Sequence, residues 1–282
     1  MGGAFAAAAP ALAPFSGWGK AWLLPAGFLL GLAAAFFAPR LSSFTNERAA
    51  LGLALGATLL TGAAWLLLSR VSPVMDFSRM FATAAAFAEN RPLPDPAYQA
   101  VFPHLLGYPF VLSLLFRVSG PSVAAAQIFN LFLSLCIAAL LFSVGKKLLG
   151  VGCGLAAGLL WALMPSHFML LSLVAGEPLH IALTLLAVRV YLQAAGAPPD
   201  SFRGSLPYWG LLGLTVALSS LVRPLGPVYL LAFALCALVF GKRRLTRLAL
   251  SLLVMLAVYA AVTQAGTVLW EKALERPVAR NG

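Results

Sequence analysis

Acidic side chains are scarce in this sequence. Eight Asp and Glu stand against 19 Lys and Arg in 282 residues, and charged residues make up only 10% of the chain. A soluble domain of this size carries about 25%. So few charges cannot cover a water-exposed surface, which excludes a soluble globule. Cysteine is equally sparse. Cys136, Cys153 and Cys236 fall inside apolar runs, without metal-ligand spacing or the even count of a disulfide framework. They read as small core residues. No Walker loop, GxGxxG, HExxH or Cys/His cluster occurs, so the sequence offers no nucleotide site and no strong metal site. Ten-residue segments of alternating polarity are missing too, which argues against a β-barrel.

What the chain has is hydrophobicity: 61% of residues, with a mean hydropathy of +0.93. Lipid forces each segment to satisfy its own backbone, so the fold class is an all-α polytopic membrane protein. Runs of membrane-crossing length predict about eight spans. They lie at about Ala21–Ala38, Ala50–Leu68, Ser122–Val144, Val151–Leu170, Pro178–Gln193, Trp209–Val222, Pro224–Phe240 and Ala249–Val262. The start, MGGAFAAAAPALAPF, has no basic stretch ahead of its apolar part and does not read as a cleaved signal peptide.

The net charge of +11 is not a nucleic-acid signature here. The basic residues cluster between apolar runs, in GKK at 145–147 and GKRRLTR at 241–247. That is the pattern of positive-inside anchors on anionic lipid. With the loop that holds Arg40 and Arg48 taken as cytoplasmic, the same rule favours a re-entrant or interfacial course over a ninth span for the short apolar stretch Leu105–Val118. If it crossed the membrane, both clusters would face outward. If it lies at the interface, both face inward, and residues 70–121 form one large external loop. Asp76, Glu89, Asp95, Glu177, His104 and His167 then map to the outer face.

Within that loop, SPVMDFSRMFATAAAFAEN (72–90) reads as an amphipathic helix. Ser72-Pro73 supplies a cap and a first-turn proline. Phe77, Met80, Phe81, Ala84, Phe87 and Ala88 share one face, beside Asp76 and Arg79. Such a helix is expected in the interface with its apolar face in lipid, presenting Asp76 at the membrane surface. Further on, FPHLLGYP (102–109) combines turn and aromatic residues. In VAGEPLH, Glu177 precedes a span and can cap its start, and His180 reads as a packed polar group. In LVRPLGP, Arg223 sits at a break between spans, where a guanidinium is costly unless it is paired.

In order, DFSRMFATAAAFAEN, FPHLLGYPFVLSLLFRVSGPS, AAQIFNLFLSLCIAALLFSVGKKLLG, LLWALMPSHFMLLSLVAGEPLH and LVRPLGPVYL resemble the bacterial GT-C membrane glycosyltransferases. The likeness is to the protein O-mannosyltransferase-like and aminoarabinose-transferase-like enzymes, and it covers about Ala50 to Val262. It implies an essential acid in the first external loop, matched by Asp76. It also implies a Pro/Gly/Tyr loop, matched by Pro103, His104, Gly107, Tyr108 and Pro109. Glu177-Pro178 matches a later acidic motif, and Arg223-Pro224 an Arg-Pro at a span end. Asp76 is followed by Phe77 where many protein O-mannosyltransferases have Glu.

The resemblance divides the chain into 1–45, with an extra span, a transmembrane module at 46–265, and a short tail at 266–282. Most such enzymes continue with further spans. It implies sugar transfer from a polyprenyl-phosphate donor to an unknown hydroxyl acceptor (glycan, lipid or protein), with inversion, on the outer side of the cytoplasmic membrane. Asp76 is the expected general base. Arg223, with Arg79 or Arg70 as alternates, is the expected ligand of the donor phosphate. His104, Tyr108, Glu177 and His167 are expected to bind substrate. A divalent metal between Asp76 and Glu177 is compatible with this set but not indicated by it. Two other classes use external charges: a lipid or solute transporter, and a non-catalytic membrane assembly protein.

Overall fold

The computed structural model describes residues 46–69, 71–196, 202–240 and 245–279, all helix and connecting turns with no strand among them. The expected span Ala21–Ala38, the acid Asp200 and the candidate Arg70 lie outside the described residues. Among the described residues, five helices are long and apolar enough to cross a membrane. They are α1 (Glu47–Leu68), α5 (Val123–Leu149), α8 (Glu177–Gly196), α9 (Phe202–Val222) and α11 (Leu245–Leu274). A sixth crossing is made if α6 (Val151–Leu163) and α7 (Pro165–Ser172) count as one span bent by 56°. The chain is thus a multi-pass helical membrane protein by length and composition. Helix α10 (Gly226–Phe240) is apolar but only 15 residues long, about 22 Å at 1.5 Å per residue against a hydrocarbon core of about 30 Å.

The expected span Val151–Leu170 is broken rather than straight. Pro165 has no N–H to continue the ladder of α6, and the chain restarts at a new angle. A second irregular stretch, 173–176, follows α7. Its carbonyls need donors, because lipid supplies none. Asn130 of α5 provides two, from Nδ2 to Leu170 O (3.1 Å) and Leu173 O (2.5 Å), and Gln127 Nε2 reaches Ser172 O at 3.2 Å. Trp65 of α1 closes the other side with an indole bond to Ser172 Oγ at 2.5 Å.

Small residues let the spans approach. The hairpin of α5 and α6 turns at Gly150, at φ +95°. A Cβ at Gly154 would stand 2.6 Å from Phe142 O, and one at Gly158 2.6 Å from Ala54 Cβ. Such contact suits a medium that offers no hydrophobic force between helices. Helix α11 runs through Leu274, beyond Val262 where hydropathy falls. Thr263, Gln264 and Thr267 lower the hydropathy, but the two threonine hydroxyls bond back to carbonyls one turn earlier and leave the helix intact.

At one end of the bundle lie the short helices α2 (Asp76–Ala88), α3 (Pro96–Val101) and α4 (Gly107–Ser119), with a 3-10 turn at Pro103–Leu106. Helix α4 covers Leu105–Val118 and spans only about 20 Å, too short to cross. The apolar face of α2 meets protein more than lipid. Met80, Phe81 and Ala88 pack on a core of Tyr108, Leu112 and Phe116 from α4, and Phe81 meets Phe116 edge-on at 5.4 Å. At the opposite end Lys146 Nζ pairs with Glu47 at 2.5 Å. The acids and arginines of the expected outer loop and the Lys146–Lys147 pair therefore occupy opposite poles of the bundle.

Candidate functional site

Helix α2 begins at Asp76, not at Ser72-Pro73. The chain enters it through Met75 in a left-handed conformation at φ +53°, a costly state for a residue with a Cβ. Ser78 Oγ donates to Met75 O at 2.6 Å and anchors the turn. Asp76 is consequently the first helical residue, with its carboxylate free of capping duty. Arg79 lies one turn on, 3.3 Å from Asp76 Oδ1, and its guanidinium sits 4.7 Å from the centre of the Tyr98 ring.

Asp76 lines a cavity of about 300 Å³ together with His104, Tyr108, Gly176, Glu177 and Arg223. Four separate stretches meet there: the start of α2, the 3-10 turn and α4, the break before α8, and the end of α9. Glu177 and Arg223 form an ion pair across it. Glu177 Oε2 is buried without a hydrogen-bond partner. Arg223 is held at its backbone, where its N–H donates to Ser219 O at 2.9 Å. One turn into α8, His180 Nδ1 lies 2.9 Å from Ser219 Oγ and Nε2 lies 2.9 Å from Tyr229 OH.

Tyr108 is 1% exposed and donates its hydroxyl proton to Asn130 Oδ1 at 3.0 Å. Burial pushes the phenol well above its ordinary value and the Glu177 charge adds to that; the Asn130 bond opposes it. Tyr108 is thus a protonated wall residue. His104 is shifted below its ordinary value of 6.5, first by burial and then by the Arg223 charge. It is neutral at pH 7, and its Nδ1 is buried without a partner.

Five of the eight candidate residues share this cavity: Asp76, His104, Tyr108, Glu177 and Arg223. Arg79 borders a narrower cleft beside it with Asp76, Asp95, Tyr98 and Gln99. His167 lies elsewhere. The bend at Pro165 turns it into the bundle, where it is 1% exposed between the rings of Trp161 and Phe168 (centroids 5.3 and 5.1 Å). Neither of its ring nitrogens has a hydrogen-bond partner. Asp76 and Glu177 are the carboxylates on the cavity wall, and the described residues contain no group of three or more potential metal ligands.

Sequence reasoning passed over Asn130 and Gly176. Asn130 is fully buried in the middle of a span, and an amide in hydrocarbon is itself a signal. Gly176 is tightly enclosed: a Cβ would come within 3.1 Å of Val222 Cγ1 and 3.2 Å of Tyr108 Cβ, so those side chains would have to give way. Beside the polar cavity, and sharing Val222 with it, lies an apolar cleft of about 380 Å³ between α4, α8, α9 and α11. Phe110, Leu179, Leu183, Leu218 and Leu269 line it.

No family model, curated protein or solved structure matches the chain. The functional reading therefore rests on the residues and their geometry.

Proposed function

We propose that the protein is an integral membrane glycosyltransferase of the GT-C type, with about eight spans. It moves a sugar from a polyprenyl-phosphate donor to a hydroxyl acceptor on the extracytoplasmic face of the cell membrane. The observation that carries this reading is the convergence of Asp76, His104, Tyr108, Glu177 and Arg223 on one polar cavity beside an apolar cleft. A ligand with a charged head, an uncharged ring and a long hydrocarbon tail fits that pairing.

In the reaction, the acceptor oxygen attacks the anomeric carbon while Asp76 takes its proton. The new C–O bond forms as the bond from the anomeric carbon to the phosphate oxygen breaks. The electron pair leaves on the polyprenyl phosphate, which needs no proton. Attack opposite the leaving group inverts the centre. Arg223 stabilises the charge growing on the phosphate through charge-assisted bonds. To do so it must share or give up its bond to Glu177. Tyr108 and neutral His104 bound the space for the sugar ring, and the cleft between α4, α8, α9 and α11 takes the first isoprene units.

The test is turnover with polyprenyl-phosphate sugars in proteoliposomes. Asp76→Asn keeps the shape and is expected to lower kcat by about 10²–10⁴, the range for loss of a general base, with little change in donor KM. Wild-type protein inert toward every such donor, or an Asp76→Asn variant as fast as wild type, overturns the reading. The second outcome would favour a docking role for α2.

A further inference from the structure

A second cavity, of about 310 Å³, lies on the other side of His104, between the 3-10 turn, the end of α9 and the outer third of α11. It differs in chemistry from the Asp76 cavity. Its lining contains no Asp, Glu, Lys or Arg. The one titratable heterocycle, His104, is held neutral by burial and by Arg223 on its far side. An ion is therefore not what this cavity is built for, because a buried charge demands a partner.

Its polar groups are uncharged. Ser220, Tyr259, Thr263, Gln264 and Thr267 line one wall. The threonine hydroxyls spend their protons on the carbonyls of Tyr259 and Thr263, which leaves oxygen lone pairs to accept from a ligand. Ser220 Oγ and Tyr259 OH are 3.2 Å apart and share one bond, so one of the two hydroxyl protons is left for a guest. Trp270 also lines the cavity. It is 4% exposed and packs on Phe87 and Phe110, yet its indole N–H has no partner. Nδ1 of His104, which borders the same cavity, is also buried without a partner. Pro103, Pro224 and Pro227 supply flat C–H surface.

We infer that this cavity binds an uncharged, hydroxyl-rich ring, that is, a neutral saccharide unit. Mixed donors and acceptors, two aromatic rings and no formal charge together match a sugar. They match neither a phosphate nor a hydrocarbon chain. Calling that unit the acceptor rests on the transferase reading above; the binding itself does not. Ala279 also lines the cavity, and its N–H bonds to Ala100 O of α3 at 2.7 Å.

The test uses the full chain in phosphatidylcholine nanodiscs, free of glycoside detergents. Neutral methyl glycosides (glucoside, mannoside, galactoside), the matching uronates and a short alkanol are compared by saturation-transfer NMR. At least one neutral glycoside is expected to bind saturably and more tightly than its uronate and the alkanol. Gln264→Leu and Thr263→Val, which keep volume, are expected to weaken it about tenfold, as for one or two lost neutral hydrogen bonds. Asp76→Asn is expected to leave it unchanged. No saturable glycoside binding, a preference for the uronate or alkanol, or indifference to both α11 variants overturns the inference. Loss of glycoside binding in Asp76→Asn also overturns it, by assigning the signal to the first cavity, while the transferase reading stands. Glycoside binding that survives in a protein inert toward every donor leaves this inference in place and removes the transferase reading.

Discussion

Arg223 enters the cavity with its guanidinium already on Glu177, a partner 46 residues earlier in the chain. That pairing was not legible in the sequence. The need for a partner was, because an arginine at a span break is costly alone. On the proposed reading, Arg223→Gln removes the phosphate ligand and is expected to raise donor KM about tenfold or more. Glu177→Gln releases the arginine and is expected to lower donor KM. Steady-state kinetics on the two variants separate these outcomes. His104 gives a pH signature. Its folded value lies below 6.5, so above pH 6.5 both folded and unfolded forms are neutral and it contributes no pH dependence. As the pH falls through 6.5 toward the lowered value, the unfolded chain binds the proton first and stability drops. Thermal unfolding between pH 8 and pH 5 is expected to show a smaller loss of Tm for His104→Gln than for wild type. His167 shows where side-chain reasoning stops. Its position in the sequence pointed to the outer face, and only the bend at Pro165 shows that it turns inward.

At the scale of elements, hydropathy located every long helix among the described residues, because a run of twenty apolar residues has few other fates. It could not show breaks within a run. The α6–α7 bend and the irregular 173–176 stretch are held by Asn130, whose amide spans helices distant in sequence. Asn130→Leu leaves the carbonyls of Leu170 and Leu173 and the Tyr108 hydroxyl without this partner. It is expected to destabilise the fold by about 1–3 kcal/mol, read as a lower midpoint of unfolding in detergent. The start of α2 was misplaced by the Ser72-Pro73 signal. Those residues can cap a helix, but a left-handed Met75 sets the entry instead, a choice that depends on Ser78 and on α4 beneath. At about 20 Å, α4 over Leu105–Val118 is shorter than the hydrocarbon core.

For the molecule as a whole, the two poles of charge separate the candidate site from the Lys146–Lys147 end. On the proposed reading, positive-inside ordering puts the site on the extracytoplasmic side. A cysteine at Arg79 is expected to react with an impermeant maleimide on intact cells. One at Lys147 is expected to react only after permeabilisation. The sequence yielded the fold class and most of the cavity wall. It withheld the division of that wall into a charged chamber and an uncharged one, because His104 belongs to both and the α11 residues looked like the fading end of a span.

The pairs Asp76–Arg79 and Glu177–Arg223 have a consequence for how a substrate arrives. Two carboxylates and two guanidiniums cancel, so the resting mouth of the cavity projects little net field into solution. An anion diffusing in water has nothing to steer it there. A molecule dissolved in the bilayer is already confined to two dimensions and slides past the apolar cleft on its way. On the proposed transferase reading, capture is governed by membrane concentration, is indifferent to ionic strength, and discriminates against the same sugar phosphate stripped of its tail.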